Sequence, residues 1–214
     1  MKISFLCSDS RHPINDFLHE WIERNKEKHN IELVREKRYL SGGDILFLIS
    51  CSEIVSADDR SAYNVSLVLH ASDLPLGRGW SPHIWQIIEG AEEITLSLLE
   101  AGDRVDSGKI WKKERFTIPK HALWDEINER LFTAEVELID FAVRNFEDIT
   151  PVDQDLTQEP TYYTRRSPDN SRIDPAMSIE SQFDMMRVCD PNRFPAFFDL
   201  HGKKYKIILE KVSE

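Results

Sequence analysis

The chain has 214 residues, and its 38 acidic side chains outnumber its 27 basic ones, which gives a formal net charge of −11. Binding to a phosphate backbone needs clustered Lys and Arg, and basic residues here form nothing longer than pairs such as Lys112-Lys113 and Lys203-Lys204. A general nucleic-acid binder is therefore excluded. No apolar run approaches the roughly 20 residues of a membrane span, and the start MKISFLCSDS predicts a strand and not a signal peptide. We expect a cytoplasmic protein that needs no disulfide or metal for stability.

Apolar patterning predicts alternating strands and helices in the first two thirds of the chain. Apolar runs bounded by turn residues predict buried strands, and apolar spacings of three and four predict helices. The predicted strands are 1–8, 30–34, 44–49, 66–70, 93–99 and 109–118. The predicted helices are 15–28, a short one within 53–60, one from Pro82 to Gly90, and 122–146. This order predicts an α/β fold with an open, Rossmann-like, mostly parallel sheet and helices on both faces.

The composition changes after Thr150. Residues 151–177 are rich in Pro, Asp, Thr and Ser, which predicts a long ordered crossing loop. A short helix near 178–189 and a β-hairpin around His201-Gly202 are predicted to follow it. We therefore predict a main domain over 1–150 and a C-terminal appendage over 151–214 that packs on it. The aromatic residues of the appendage suggest a homodimer face.

His70 stands at the carboxyl end of the predicted strand 66–70, which is where open α/β sheets bind their ligands. An imidazole in that place is a candidate general base, and the alternative is a ring that only satisfies the backbone of a turn. Asp106 lies in Asp-Ser-Gly, which by itself is typical of a turn. A carboxylate beside a histidine fixes its tautomer and stabilises its protonated form. The two residues together are the candidate catalytic pair.

The segment around these residues resembles a known family. His70-Ala71-Ser72-x-Leu74-Pro75-x-x-Arg78-Gly79-x-x-Pro82 is similar to the H-x-S-L-L-P-x-x-R-G-x-x-P signature of the 10-formyltetrahydrofolate-dependent formyltransferases. Ile94-Thr95-Leu96 and Asp106-Ser107-Gly108-Lys109-Ile110 follow in the order of the family's V-T-L strand and D-[TAS]-G-x-I motif. The resemblance implies an N-formyltransferase of the EC 2.1.2 type that uses 10-formyltetrahydrofolate as its formyl donor.

The C-terminal segment resembles one branch of that family. Residues 163–174 are similar to the R-R-x-P-x-D-S-x-I segment of the methionyl-tRNA and sugar branches, and residues 195–204 carry elements similar to P-G-A-F and G-K-K of nucleotide-sugar enzymes. The tRNA branch adds a larger basic domain, which this acidic chain does not carry. The resemblance therefore implies a nucleotide-linked amino sugar as substrate, and H-A-S-D-L-P is most similar to enzymes of pseudaminic-acid and related amino-sugar pathways.

The resemblance also implies where the two substrates bind. The predicted donor-binding residues are Ser50, Cys51, Ser52, Ile54, Glu100, Gly102, Asp103 and Val105. The predicted sugar-nucleotide-binding residues are Arg78, Trp80, Trp85, Tyr163, Arg165 and Arg166. Forked guanidinium groups suit a diphosphate and aromatic rings suit a base. The alternatives are that the tryptophans pack in the core, that the arginines of the 162–172 segment pin the crossing loop, and that Arg78 braces the His70 loop.

Val68 departs from the family pattern, in which N-x-H carries an Asn that helps to bind the formyl oxygen. Valine donates no hydrogen bond, and losing one such donor costs about 10²–10³ in rate. Protonated His70 and backbone N–H groups are the expected replacements, with Asn64 and Ser72 nearby in sequence. The loop before Asp106 is also longer than is usual. Two other functions stay open, namely a non-catalytic module that binds folate or a nucleotide sugar, and formylation of a non-sugar amine.

Overall fold

The computed structural model describes residues 1–155 and 157–212. Ten strands and five helices lie in these ranges. In chain order they are β1 (Lys2–Leu6), α1 (Ile14–Asn25), β2 (Asn30–Val34), β3 (Gly43–Leu48), α2 (Ala57–Arg60), β4 (Tyr63–His70), β5 (Arg78–Gly79), α3 (Pro82–Ile88), β6 (Glu93–Glu100), β7 (Ile110–Thr117), α4 (Trp124–Asn145), β8 (Tyr162–Tyr163), α5 (Ile179–Arg187), β9 (Ala196–Leu200) and β10 (Lys203–Ile207).

A six-stranded sheet of order β2-β1-β3-β4-β6-β7 forms the centre of the molecule. The first four strands in this order run parallel, whereas β6 and β7 are antiparallel to their neighbours. The predicted mostly parallel α/β sheet is therefore confirmed. The C-terminal hairpin is also confirmed, because β9 and β10 pair as a separate two-stranded sheet.

The central strands β1 and β3 bury apolar side chains on both faces of the sheet. On β1, Phe5 packs into the main core while its neighbour Leu6 packs into a smaller cluster on the other face. Phe5 lies edge-on to Trp21 of α1 at 5.3 Å between ring centroids and stacks on Phe47 of β3 at 5.2 Å. The smaller cluster contains Leu46, and no long helix within the described residues packs against it. The helix that precedes β4, α2, has only four residues. The short helix predicted within 53–60 is therefore present, as α2.

Helix α4 packs along the main core through an apolar stripe. Ile127, Leu131, Ala134 and Leu138 are buried at alternating spacings of four and three. Glu126 near its start accepts the backbone N–H of Leu123 at 2.9 Å, which begins the helix. Within the described residues, no helix is both long and apolar enough to cross a membrane.

Candidate active site

His70 is the last residue of β4 and lies at the carboxyl edge of the sheet. Its Nδ1 is 3.5 Å from Oδ1 of Asp106, and both side chains are more than nine-tenths buried. Its Nε2 is 2.8 Å from the carbonyl oxygen of Gly77. Because a carbonyl only accepts, Nε2 carries a hydrogen, and the lone pair of the neutral ring is on Nδ1. The ring thus both satisfies the turn backbone and faces the carboxylate.

Asp106 is held in place by bonds to both its side chain and its backbone. Its Oδ2 accepts the N–H of Gly79 at 2.8 Å, and its carbonyl accepts Nε2 of Gln154 at 2.8 Å. The loop folds back on β6 so tightly that a Cβ at Gly108 would lie 1.9 Å from the carbonyl oxygen of Glu100. The Asp-Ser-Gly turn therefore needs glycine at its third position, and it aims the carboxylate at His70.

The C-terminal segment braces the loop that follows His70. β8 pairs in parallel with β5, and the Gly77 N–H donates to Thr161 Oγ1 at 2.8 Å. Arg78 is buried and donates from Nη2 to Gln154 Oε1 at 2.7 Å. A Cβ at Gly79 would lie 2.4 Å from the carbonyl of Tyr163, so the two strands approach as closely as glycine allows. This geometry fits the bracing alternative for Arg78.

Gln154 belongs to the site although no sequence motif pointed to it. It is 8% exposed and its amide nitrogen bonds the carbonyl groups of both Asp106 and Gly108, while its oxygen faces Arg78. A single glutamine in a polar segment carries no periodicity or motif, and its role arises only when the appendage folds against the sheet. Gln154 is therefore a positioning residue for Asp106.

The neighbours proposed in place of the family Asn do not provide a free donor. Val68 packs with Leu74, Leu99 and Ile110. Asn64 bonds Asp44 at the opposite end of β4, six residues or about 20 Å from His70.

Ser72 is 2% exposed, and its hydroxyl has no partner among the described residues. Its hydroxyl is thus buried in this structure. Backbone N–H groups in the loop are also engaged: those of Gly77, Arg78 and Gly79 donate to Thr161 Oγ1, the Thr161 carbonyl and Asp106.

Arg60 joins the two loops that are predicted to hold the formyl donor. Its Nη1 donates to the Val55 carbonyl at 2.8 Å in the loop after β3, and to the Gly102 carbonyl at 3.3 Å in the loop after β6. Its Nη2 pairs with Asp103 at 2.6 Å. The two predicted segments are therefore adjacent in space.

Two apolar side chains on these loops face solvent. Ile54 is 87% exposed and Val105 is 68% exposed. A flat aromatic ring bound beside them would remove their apolar surface from water, so the residues present fit a folate. The other predicted residues of these loops are Ser50, Cys51, Ser52, Glu100, Gly102 and Asp103. The donor-binding roles of all eight remain predictions.

The predicted sugar-nucleotide residues Trp80, Trp85, Tyr163, Arg165 and Arg166 form one group, here called the Trp80 surface. The guanidinium carbon of Arg165 lies 4.8 Å from the ring centroid of Trp80, which is 46% exposed. The ring of Trp85 stacks on Tyr163 at 6.2 Å, with Arg166 5.9 Å from its centroid. Trp80 therefore lies outside the core, whereas the binding roles of all five stay predictions.

Two further histidines, which the sequence did not single out, lie near His70. His12 accepts the Ile14 N–H on Nδ1 at 3.3 Å, and its Nε2 is 3.1 Å from Ser50 Oγ. Burial, with a smaller contribution from Arg193, lowers the pKa of His12 to about 4. Burial also lowers the pKa of His83 to about 3, with smaller contributions from Arg166 and from His12 and His70 when these rings are protonated. Both rings are therefore neutral near pH 7.

A buried His–Asp pair at the carboxyl edge of an open α/β sheet is an arrangement that can accept a proton from a ligand bound there. Residues 3–143 match the sequence model of the formyl transferase family. The chain therefore belongs to this family, as the motifs from His70 to Ile110 indicated.

A curated relative is the methionyl-tRNA formyltransferase of Rickettsia bellii, 28% identical over 177 residues. The match covers 80% of this chain and 56% of the relative, so the chain spans little more than half of that protein.

Solved structures share the fold. The methionyl-tRNA formyltransferase from Clostridium thermocellum has a TM-score of 0.81 at 21% identity and covers 97% of both chains. A sugar N-formyltransferase from Shewanella has a TM-score of 0.72 at 14% identity, covering 100% of this chain and 99% of its own. HypX from Aquifex aeolicus in complex with tetrahydrofolic acid has a TM-score of 0.79 at 20% identity, covering 95% of this chain and 36% of its own.

Proposed function

We propose that this chain transfers a formyl group from 10-formyltetrahydrofolate to a primary amine of a nucleotide-linked amino sugar. The observation that carries the proposal is the buried His70–Asp106 pair, which lies at the carboxyl edge of β4 inside the segment that matches the formyl transferase family. The donor supplies an electrophilic formyl carbon, and the residues around it must place the amine and remove its proton.

His70 accepts the proton of the attacking amine. Its Nε2 hydrogen is fixed by the Gly77 carbonyl, so the ring accepts on Nδ1, the nitrogen that faces Asp106. The proton then lies between the ring and a carboxylate, and Asp106 stabilises the imidazolium that forms. His70 then returns this proton to the nitrogen of tetrahydrofolate as the bond from that nitrogen to the formyl carbon breaks. The Gly79 N–H holds the carboxylate in this orientation, and Gln154 holds the backbone carbonyl of Asp106. The amine therefore approaches on the side of the ring where Asp106 lies.

The Trp80 surface supports a nucleotide-linked substrate. An exposed indole offers a flat face to a base, and the guanidinium group of Arg165 beside it offers forked donors to a diphosphate. Arg166 donates to the Asn170 carbonyl and to Ser171 Oγ, which fits the alternative that it pins the crossing loop. A net charge of −11 opposes the long phosphate backbone of a tRNA, although curated relatives are named as methionyl-tRNA formyltransferases. The likeness to a sugar N-formyltransferase supports the same substrate class.

The test is a formyl-transfer assay with three classes of acceptor: a panel of nucleotide-linked amino sugars, methionyl-tRNA, and small free amines. Release of tetrahydrofolate and the mass of the product are measured. We expect turnover with a nucleotide-linked amino sugar. Turnover with methionyl-tRNA alone contradicts the proposed substrate, and turnover with free amines alone contradicts the need for the nucleotide.

Val68 favours a second candidate, a module that binds folate or a nucleotide sugar without turnover, because the family donor of a hydrogen bond is missing there. Binding of both ligands with no formyl transfer to any acceptor would establish it.

A further inference from the structure

The formyl oxygen needs a hydrogen-bond donor, because it gains negative charge when the amine attacks the formyl carbon. The backbone N–H groups of Gly77 and Gly79 already donate within the protein. The Ser72 hydroxyl is buried, and Val68 has no donor. A donor on another element that reaches the end of β4 would fill this role.

Helix α3 brings such a donor to this place. Gln86 on α3 donates from its amide to the Ala71 carbonyl at 2.8 Å, which places this face of the helix over the end of β4 next to His70. His83 precedes Gln86 by three residues and so lies on the same face. Ile87, one turn after His83, is fully buried in the main core and fixes the rotation of the helix.

The ring of His83 is free to bind a ligand. Among the described residues, its nitrogens take part in no hydrogen bond with the protein, whereas those of His12 and His70 each have partners. His83 is partly buried and lies close enough to His12, His70 and Arg166 for their charges to act on it. A neutral imidazole carries one N–H and donates it without adding a charge to the site.

We propose that the N–H of His83 donates a hydrogen bond to the formyl oxygen of the donor, in the role that an Asn at position 68 would fill. This inference rests on the proposed formyl transfer. It explains how a chain with Val68 retains a complete set of polar groups for the reaction. His70 accepts the proton, Asp106 stabilises the charged ring, and His83 stabilises the oxygen.

A carbonyl resonance tests the hydrogen bond without turnover. The probe is 10-formyl-5,8-dideazafolate labelled with carbon-13 in its formyl group, a stable form of the donor. We expect its formyl carbon resonance to move downfield on binding to the wild type, because a hydrogen bond polarises the carbonyl. His83→Phe should bind the probe without this displacement. His19→Phe, on the exposed side of α1, is the matched control and should behave as the wild type.

A second variant separates a donor from a structural role. Val68→Asn in the His83→Phe background places an amide donor on β4, and we expect it to restore the downfield displacement. In the amino-sugar assay, His83→Phe should lower kcat by about 10²–10³, and the double variant should recover most of this loss. Thermal melting checks that each variant folds, and if the double variant does not, the resonance of His83→Phe alone decides.

The outcomes are distinct. A displaced resonance in His83→Phe overturns the inference and leaves the proposed function standing. Failure of the wild type to bind the probe overturns both. The inference is supported if the downfield displacement is lost in His83→Phe and recovered when Val68→Asn is added. A change on β4 would not repair a packing defect in α3, so such a recovery points to a hydrogen-bond donor.

Discussion

The His70–Asp106 pair and the Trp80 surface lie on the same side of the molecule and differ in how their polar groups are bonded. Around the pair, the Gly77 carbonyl accepts from His70, the Gly79 N–H donates to the Asp106 carboxylate, and Gln154 donates to the Asp106 carbonyl; both side chains are buried. At the Trp80 surface the Trp80 ring is 46% exposed and Arg165 lies over it, whereas Arg166 already donates to the Asn170 carbonyl and to Ser171 Oγ. The polar groups of the His70–Asp106 pair are therefore in place without a ligand, whereas the exposed ring of the Trp80 surface can still form contacts with one.

The largest effect should come from breaking the organised pair. Asp106→Asn leaves the shape of the side chain and removes the charge that stabilises the His70 imidazolium. We expect kcat for formyl transfer to fall by about 10²–10⁴ with little change in KM, and His70→Ala to fall as far. Asp148→Asn, on an exposed aspartate after α4, is the control. Wild-type turnover in Asp106→Asn would remove both residues from the mechanism.

Glu135 on α4 can be compared with Asp106, because its carboxyl is buried but lacks hydrogen-bond partners such as those of Asp106. Its Oε2 is buried with no partner among the described residues, and burial raises the pKa of Glu135 from 4.5 to about 8. The unfolded chain loses this proton near pH 4.5 and the folded chain keeps it until about pH 8, so the stability contributed by this group falls as the pH rises between these values.

Glu135→Gln removes this dependence. At about 1.4 kcal/mol per pKa unit the effect amounts to a few kcal/mol, and we expect the variant to gain stability over the wild type at pH 8 relative to pH 5. Urea unfolding at both pH values measures it, with Glu137→Gln on the exposed face of the same helix as the control. An equal difference between variant and wild type at both pH values would show that the carboxyl is ionised in the folded state.

Gln154→Ala tests how the C-terminal segment holds Asp106 in place. It removes the bonds to the carbonyl groups of Asp106 and Gly108 and leaves the buried Arg78 without its amide partner. We expect the free energy of unfolding to fall by about 1–3 kcal/mol, and kcat to fall more than KM rises. The pH profile of kcat should move as well, because Gln154 acts through Asp106. A stability loss with an unchanged kcat and pH profile would mean that Gln154 only pins the loop.

Trp80→Ala should have the smallest effect on the chemical step. Loss of a stacking face for a base costs about 1–3 kcal/mol, which corresponds to roughly a fivefold rise in KM at the lower end, and kcat should stay the same. Trp80→Phe keeps a ring and should retain most of the affinity. An unchanged KM in Trp80→Ala would move the nucleotide away from this surface.

The sequence predicted what local patterns determine. Apolar runs located the central strands, spacing located α4, and the His70 and Asp106 motifs identified a pair that the fold brings within 3.5 Å. The sequence did not identify His83 and Gln154 as site residues, because each is a single polar residue whose neighbours come from distant parts of the chain. The two-residue pairing of β5 with β8 was not predicted for the same reason, since nothing in the local sequence indicates that Arg78 and Tyr162 are partners.

The predicted division at residue 150 stays a prediction. Gln154, Thr161 and β8 contact the loops that hold His70 and Asp106, so the appendage contributes to the site whether or not it folds separately. The homodimer face and the cytoplasmic location also stay predictions.

Binding of the donor is the central claim, and thermal unfolding with 5-formyltetrahydrofolate tests it most directly. At about 100 times its Kd a ligand adds about 2.7 kcal/mol, which raises the Tm by roughly 5–10 °C for a chain of this size. Val105→Asp places a charge beside the predicted ring site and should abolish the rise. Val212→Asp, at another exposed valine near the C-terminus, should not. No rise in the wild type at millimolar ligand would contradict the account.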